Sequence, residues 1–405
     1  MKTLFNLPEK VIFCKKCVLS NHRASSTVEF KHKRNREGTK YLNINPKTGV
    51  CDACEFHEKK KKINWGKREK ELLQLLDKHR SKNGDYDCIV PGSGGKDSAY
   101  ASHILKYKYG MNPLTITWSP IMYTDYGYAN YKNWVEIGGF DNLLFKQNGR
   151  VLKKLTKLSI QNLLHPFQTF ILGQKNLPSK VAKKYNIPLV FYGESNHEYA
   201  SQTIGSHSLM SESEYSSSNY KNIYLAGTSI EELIDKHALS LNDLKPYLPI
   251  QKKELGNFKF NIHYLSYYLK WNPQEIYYYA VENTGFKPRP FRTQGTYQKY
   301  QSIDDKIDDL HFYTTYIKFG IGRATIDSSP EIRNRHLTRD EAKTLVNRFD
   351  GEFPDKYFND ILDFLDMKSE EFHEICDKFR PDHLWKKTSN GFKLCHTVNN
   401  DGEDD

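Results

Sequence analysis

No apolar run in this 405-residue chain is long enough to span a bilayer, and Met1 to Leu19 lacks the apolar core and small-residue cleavage site of a secretory leader. A soluble cytoplasmic protein is expected. Internal repeats of the kind that build solenoids are missing as well. Cysteine is scarce, seven residues in all, and none falls between Cys88 and Cys376. Cys376 and Cys395 lack the surroundings of a nucleophile elbow, and Cys88 sits in an apolar run that makes it core, so the chain carries no glutaminase of its own. An acidic excess is also absent: Lys+Arg number 60 against Asp+Glu 49, a net charge of +11. Such a balance suits a nucleic-acid partner and equally suits phosphates and acidic sugars. The densest basic run, Lys59 to Lys62, reads as a solvated linker, and the acidic tail Asp401 to Asp405 as a frayed terminus.

What is present is organised around Cys88-Ile89-Val90-Pro91-Gly92-Ser93-Gly94-Gly95-Lys96-Asp97-Ser98, a short apolar run feeding a glycine-rich turn that opens into a helical pattern. Glycines let backbone N–H groups approach an anion closely, and the following helix adds the positive end of its dipole. Lys96 adds a mobile charge; Ser93 and Ser98 add hydroxyls. The run is not a Walker A loop, because Val90 occupies the first glycine position and Asp97 follows the lysine, and the dinucleotide fingerprint fails too. Asp97 suits a helix N-terminus as a cap, and beside a triphosphate it suits magnesium.

Four of the cysteines form two pairs, Cys14-Lys15-Lys16-Cys17 and Cys51-Asp52-Ala53-Cys54. Two such knuckles can wrap a tetrahedral Zn2+ in thiolate, whereas a redox dithiol would explain only one pair and disulfides do not suit a reducing compartment. His22, His32 and His57 are neighbours rather than ligands, since four thiolates complete the shell. The residues between the knuckles read as a long loop.

Further along, the apolar positions from Trp65 to His79 read as a helix ending near Gly84, and Tyr86 to Val90 as the strand before the loop. Pro113 to Trp118, Asn142 to Phe145 and Pro188 to Tyr192 read as strands, with helices over Gly127 to Ile137 and Val151 to Leu164 between them. This alternation predicts an α/β doubly wound parallel sheet. Ligands of such sheets bind beyond the carboxyl ends of strands, which nominates Thr117, Gly193 and Glu194 as neighbours of the loop. The serine-rich stretch from Ala200 to Asn219 reads as a lid or a plain surface loop. Helix starts at Asn272-Pro273-Gln274-Glu275 and Thr338-Arg339-Asp340-Glu341 mark a helical C-terminal region. Between them Lys287-Pro288-Arg289-Pro290-Phe291-Arg292 offers cations for a carboxylate or pyrophosphate. The expected domains are 1–64, a zinc ribbon; 65–255, the ATP-binding α/β domain; and 256–405, the helical region.

Ser93-Gly94-Gly95-Lys96-Asp97-Ser98 resembles, residue for residue, the signature of the PP-loop ATP pyrophosphatases, which cleave ATP between its α- and β-phosphates. An ordinary glycine turn is the plain alternative. Together with the two knuckles and the C-terminal Lys318-Phe319-Gly320-Ile321-Gly322-Arg323-Ala324-Thr325, the loop makes most of the chain resemble the N-acetyl sugar amidotransferases of bacterial surface-polysaccharide and nonulosonic acid biosynthesis. That resemblance implies ATP, Mg2+ and structural Zn2+, an N-acetylated acidic sugar, and a separate glutaminase subunit supplying ammonia. It implies catalytic roles for Lys96, Asp97, Glu194 and Arg323, nucleotide contacts from residues 93–98, Thr117 and Gly193, and metal ligation by Cys14, Cys17, Cys51 and Cys54. A transfer-RNA thiolation enzyme is the rival resemblance; net charge favours it, and the empty stretch between Cys88 and Cys376, where its cysteine pair would stand, speaks against it. A zinc-ribbon module that only binds nucleic acid would leave the loop unexplained.

Overall fold

The computed structural model describes residues 3–24, 41–194, 209–210, 215–221, 223–389 and 391–400. Its centre is a five-stranded sheet of β1 (Cys88–Pro91), β2 (Pro113–Trp118), β3 (Asn142–Phe145), β4 (Leu189–Tyr192) and β5 (Asn261–Tyr264), in the order β3-β2-β1-β4-β5. Every pairing is parallel, with Ile89 opposite both Leu114 and Val190. Parallel strands covered on both faces read as apolar runs, and β1 and β2 are buried throughout. The period of two sorts their side chains. Ile89, Leu114, Ile116, Val190 and Ile262 enter one core, while Cys88, Val90, Leu189 and Phe191 enter a second with Leu72 and Leu76.

Leu72 and Leu76 belong to helix Trp65–His79, which starts where Asn64 accepts the N–H of Lys67. Its start agrees with the apolar spacing, and it stops at His79, short of the Gly84 expected to end it. Helix Gln168–Tyr185 was not legible in that way, since Pro178 lies inside it and Gly173 interrupts its apolar face. Gly173 is there because the Trp118 ring packs on it: a Cβ would stand 2.1 Å from a ring carbon.

The sheet also runs past residue 255, where the sequence places the end of the α/β domain, because β5 pairs with β4 over four residues. Asn261-Ile262-His263-Tyr264 holds a single aliphatic residue, so the strand leaves little pattern to read. Helix Pro273–Thr284 then returns to pack on helix Lys96–His103, directly behind the loop. The region beyond is helical as expected, with Ile307–Phe319, Arg323–Arg333, Arg339–Phe349, Phe358–Leu365 and Ser369–Lys378, and Thr338 and Glu341 form the anticipated capping box. It is not detached from the sheet domain. Leu310, Ile317 and Phe372 share a core with Leu152 and Ile160 of helix Gly149–Leu163.

The cysteine-bearing segment is likewise docked. Cys51 precedes helix Asp52–Lys60, and Arg339 donates to the carbonyls of Cys17 and Cys14 at 3.1 and 3.2 Å. Lys60, expected in a solvated run, is buried and donates to the Trp271 carbonyl at 3.4 Å. His32, most of the serine-rich stretch and the acidic tail lie outside the described residues. No described helix is long and apolar enough to cross a membrane.

Candidate active site

Connections from β1 lead to β2 and β3 on one side, whereas β4 and β5 lie on the other, so the strand order reverses between β1 and β4. A crevice opens beyond the carboxyl ends of two such strands. Residues 92–95 leave β1 there, and Gly193 and Glu194 leave β4 there. Two of the glycines are required, one by backbone conformation and one by space. Gly94 has φ of +85°, and a Cβ on it would stand 2.7 Å from the Tyr131 Cα. A Cβ on Gly193 would meet the Trp271 ring at 2.8 Å and the Asp97 carbonyl at 3.2 Å, so the end of β4 lies close against the start of the helix after the loop because this residue has no side chain.

Helix Lys96–His103 begins as the loop closes. Lys96 is 2% exposed, and its ammonium donates to both oxygens of Asp97 at 2.7 Å. The Ser98 hydroxyl donates back to the Gly95 carbonyl at 3.0 Å, which closes the helix's first turn. All six residues from Ser93 to Ser98 line one cavity of about 480 Å³, together with Gly193 and Glu194. That volume is of the size that holds a small-molecule substrate.

The wall facing the loop comes from the C-terminal region: Tyr300 to Asp304, His311, Phe312 and Asp327. Sequence reasoning missed these residues. A signal existed in Asp304-Asp305-Lys306-Ile307-Asp308-Asp309, four carboxylates in six positions of a basic chain. Asp305 pins this wall to the sheet, accepting the N–H groups of Ile121 and Met122, the latter at 3.2 Å, and of Ile307 at 3.0 Å. Burial pushes its carboxyl up to about 7.

Two nominated residues sit elsewhere. Thr117 is fully buried inside β2, which continues through Trp118, and its hydroxyl accepts from Asn142 at 3.0 Å instead of facing the cavity. Arg323, 1% exposed, lies behind the cavity wall. Its guanidinium donates to Asp309 at 3.3 Å and to the carbonyls of Gln301 and Ser302, and stands 3.6 Å from Asp327. It therefore acts on the cavity by holding residues 301 and 302 in place. Burial raises the Asp327 carboxyl, Arg323 pulls it back, and Thr296 donates to it at 2.7 Å.

The proline-stiffened basic segment is committed internally too. Arg292 makes a two-pronged pair with Glu352 at 2.6 and 2.7 Å, and Arg289 is buried 3.6 Å from Asp309. The backbone N–H of Lys287 donates to Asn130, whose amide returns a hydrogen bond to the Lys287 carbonyl. Asn130 lines the cavity, so this segment braces the site from outside.

Away from the cavity, the sulfurs of Cys14, Cys17, Cys51 and Cys54 lie within 4.8 Å of one another and are buried. Zn–S bonds of about 2.3 Å place tetrahedral sulfurs about 3.8 Å apart. The observed Cys14–Cys54 and Cys17–Cys51 separations of 4.0 and 3.7 Å fit that geometry. Backbone N–H groups of Lys16, Cys17 and Cys51 point at the Cys14 sulfur from 3.4, 3.5 and 3.3 Å, as befits a thiolate. His22 is no ligand of this cluster; its ring nitrogen bonds the Pro8 carbonyl at 2.8 Å. The cavity's carboxylates, Asp97, Glu194, Asp304 and Asp327, offer the oxygen set that suits Mg2+.

Residues 294–399 match a family model described as "LPS biosynthesis protein WbpG-like, C-terminal domain". An uncharacterized protein of Methanocaldococcus jannaschii is 42% identical over 53 residues, 13% of this chain and 19% of that protein. The match therefore spans about a fifth of the relative's length. Among solved structures, the NH3-dependent NAD synthetase of Campylobacter jejuni, in complex with the nitrate ion, aligns at 16% identity with a TM-score of 0.27, over 34% of this chain and 58% of that one. NMN synthetase from Francisella tularensis aligns at 19% identity and a TM-score of 0.24 over the same shares.

Proposed function

From the match of residues 294–399 to the WbpG-like family model of lipopolysaccharide biosynthesis, we propose that the whole chain is an ATP-dependent amidotransferase acting on an N-acetylated surface sugar. The acetamido group becomes an acetamidino group, and ATP leaves as AMP and pyrophosphate. One observation carries the reading. The glycine loop lines a cavity whose other wall, residues 300–304 together with His311, Phe312 and Asp327, lies inside the matched region. A phosphate-type loop and the region matched to a lipopolysaccharide-biosynthesis family thus line a single cavity.

An amide carbonyl is a poor electrophile, so its oxygen first attacks the α-phosphorus of ATP, giving an imidoyl adenylate and pyrophosphate. Ammonia adds to the imidoyl carbon, one proton departs, and the C–O bond breaks to release AMP. Positioning and charge neutralisation are the protein's share of such a transfer. Loop N–H groups and the start of helix Lys96–His103 receive the departing phosphates, with Lys96 released from Asp97 to meet them. Bound Mg2+ would neutralise phosphate charge from Asp97 and its carboxylate neighbours. Zn2+ on the four cysteines would hold the N-terminal segment together. The ammonia is supplied by a separate glutaminase subunit.

The test is AMP and pyrophosphate release with ammonium as nitrogen donor, comparing N-acetylated acidic sugars with unmodified transfer RNA. AMP formed only with a sugar, alongside a product in which NH replaces oxygen, is expected. Turnover only with transfer RNA would transfer the loop to the thiolation reading, which the net charge of +11 favours.

A further inference from the structure

Among the described residues that line the cavity, four carry carboxylates and two carry fixed cations, Lys96 and Arg23. Lys96 belongs to the phosphate loop and is engaged with Asp97 in the resting site. Arg23 comes from a different part of the chain. Its backbone is built into the cysteine-bearing segment: its N–H donates to the Ser20 carbonyl at 3.2 Å, its carbonyl accepts from Leu42 at 2.8 Å, and Ala24 bridges to Tyr41 in antiparallel fashion. Leu19 and Leu42, on either side of this bridge, pack directly against the four cysteines.

The side from which Arg23 enters follows from how that segment docks. Ile332, near the end of helix Arg323–Arg333, packs on the cysteine cluster, and Ile326, Asp327 and Pro330 of the same helix line the cavity. Arg23 thus lines the cavity from a segment packed beside the helix that supplies Ile326, Asp327 and Pro330 to it. A guanidinium pairs with a carboxylate or phosphate through two parallel N–H groups, which the ammonium of Lys96 cannot do. A second anion entering beside four carboxylates and a triphosphate needs such a partner.

We propose that Arg23 binds the anionic group of the sugar acceptor, a carboxylate or a phosphate, so that the cysteine cluster forms part of the acceptor site and orders it. This assignment rests on the amidotransferase reading and gives it a specificity-determining residue. The cluster's metal would then act on substrate selection through the Arg23 backbone rather than through chemistry.

Arg23→Gln and Arg23→Lys, each checked for unchanged metal content, test it with three acceptors: an N-acetylhexosaminuronic acid, an N-acetylhexosamine 1-phosphate and a neutral N-acetylhexosamine. Losing a charged hydrogen bond should raise the KM of the anionic acceptor about tenfold or more in Arg23→Gln, with a smaller rise in Arg23→Lys. The KM for ATP should stay within about twofold, and whichever anionic acceptor suffers identifies the group bound. Calorimetric binding of the same three sugars, with a non-cleavable ATP analogue present, gives a readout without turnover. If the wild-type chain forms no AMP with any sugar, the amidotransferase reading fails while calorimetry still judges Arg23. Anionic sugars that bind both variants as tightly as wild type, or bind none of the three proteins, would overturn the proposal. So would equal losses for ATP and for the neutral sugar.

Discussion

Lys96→Met removes a charge while keeping most of an unbranched side chain in place. The Lys96 side chain is 2% exposed and that of Asp97 25%, with the ammonium centred 2.7 Å from the carboxylate. Deleting one partner of a buried, hydrogen-bonded charge pair costs about 3–5 kcal/mol when the other stays behind. Here the other partner keeps a quarter of its surface in water and sits in the first turn, at the positive end of a helix that Gly95 rather than Asp97 caps, so the stability loss should fall at or below about 2 kcal/mol. Transition-state stabilisation has no such relief, because the charge developing on the departing pyrophosphate lies inside the cavity. Loss of one preorganised donor there costs about 3–4 kcal/mol, a rate drop of about 10²–10³ at 1.36 kcal/mol per decade. The assay is sugar-dependent AMP formation at saturating ATP beside a thermal melt of the same preparation. Lys96→Met that melts close to wild type yet turns over about a hundredfold slower supports the argument. Turnover within tenfold of wild type refutes it, because the loop would then be working without its cation. A collapsed melt would instead show that the Lys96–Asp97 pair is holding the fold rather than the phosphates.

Gly94→Ala should abolish nucleotide binding: its φ of +85° costs a side-chain-bearing residue about 1–2 kcal/mol, and its Cβ would meet Tyr131 backbone at 2.7 Å, which only loop displacement relieves; calorimetry with ATP measures this. Cys51→Ser should release the metal and lower the melting temperature, since Zn2+ bound to four thiolates contributes folding energy; elemental analysis should find about one zinc per wild-type chain, and iron with visible absorption would contradict the assignment. Lys180, which donates to the carbonyls of Lys245 and Pro246 at 2.8 and 2.7 Å, is pushed down to about 7 by burial. Its folded pKa lies below the unfolded value of about 10.4, so the unfolded chain holds more protons across that window and this group's contribution to stability rises with pH from about 7 to about 10; Lys180→Met should flatten the rise in denaturant titrations at several pH values.

What was legible in the sequence was local. The loop, its strand and the strands at Pro113 and Asn142 each announce themselves by short apolar runs and glycines, and the cysteine pairs announce themselves by spacing. What was not legible needed pairing or burial. β5 has little apolar pattern because the neighbouring β4 supplies much of the reason for it to be a strand. The bounds of β2 were read correctly, yet Thr117 was nominated by its nearness to the strand end alone, and its side chain is buried against Asn142 of β3 rather than in the crevice. Arg323 was found as a glycine-flanked cation but assigned to chemistry, although such a cation is equally suited to holding carbonyls, as it does at Gln301 and Ser302. Asp304 and Arg23 lie far from the loop in sequence, and only the docked helices bring them to it.

That docking explains why three differently built segments travel in one chain. The sheet alone supplies a loop that grips phosphate but leaves the crevice open on the far side. The helical region closes it with a wall held together by buried ionic contacts of Arg323 with Asp309 and Asp327, and joined to the sheet where Asp305 accepts the backbone N–H groups of Ile121 and Met122. Such contacts contribute little net stability compared with apolar packing, yet they tolerate little misalignment, because each misplaced partner leaves a buried charge unpaired. They therefore suit a wall that must stand at a fixed distance from the loop. The cysteine segment in turn braces that wall through Ile332 and Arg339. Destabilising any one of the three should consequently perturb acceptor binding before it unfolds the sheet, since the sheet's two apolar cores, built on alternate residues of β1 and β4, draw most of their side chains from the α/β domain itself.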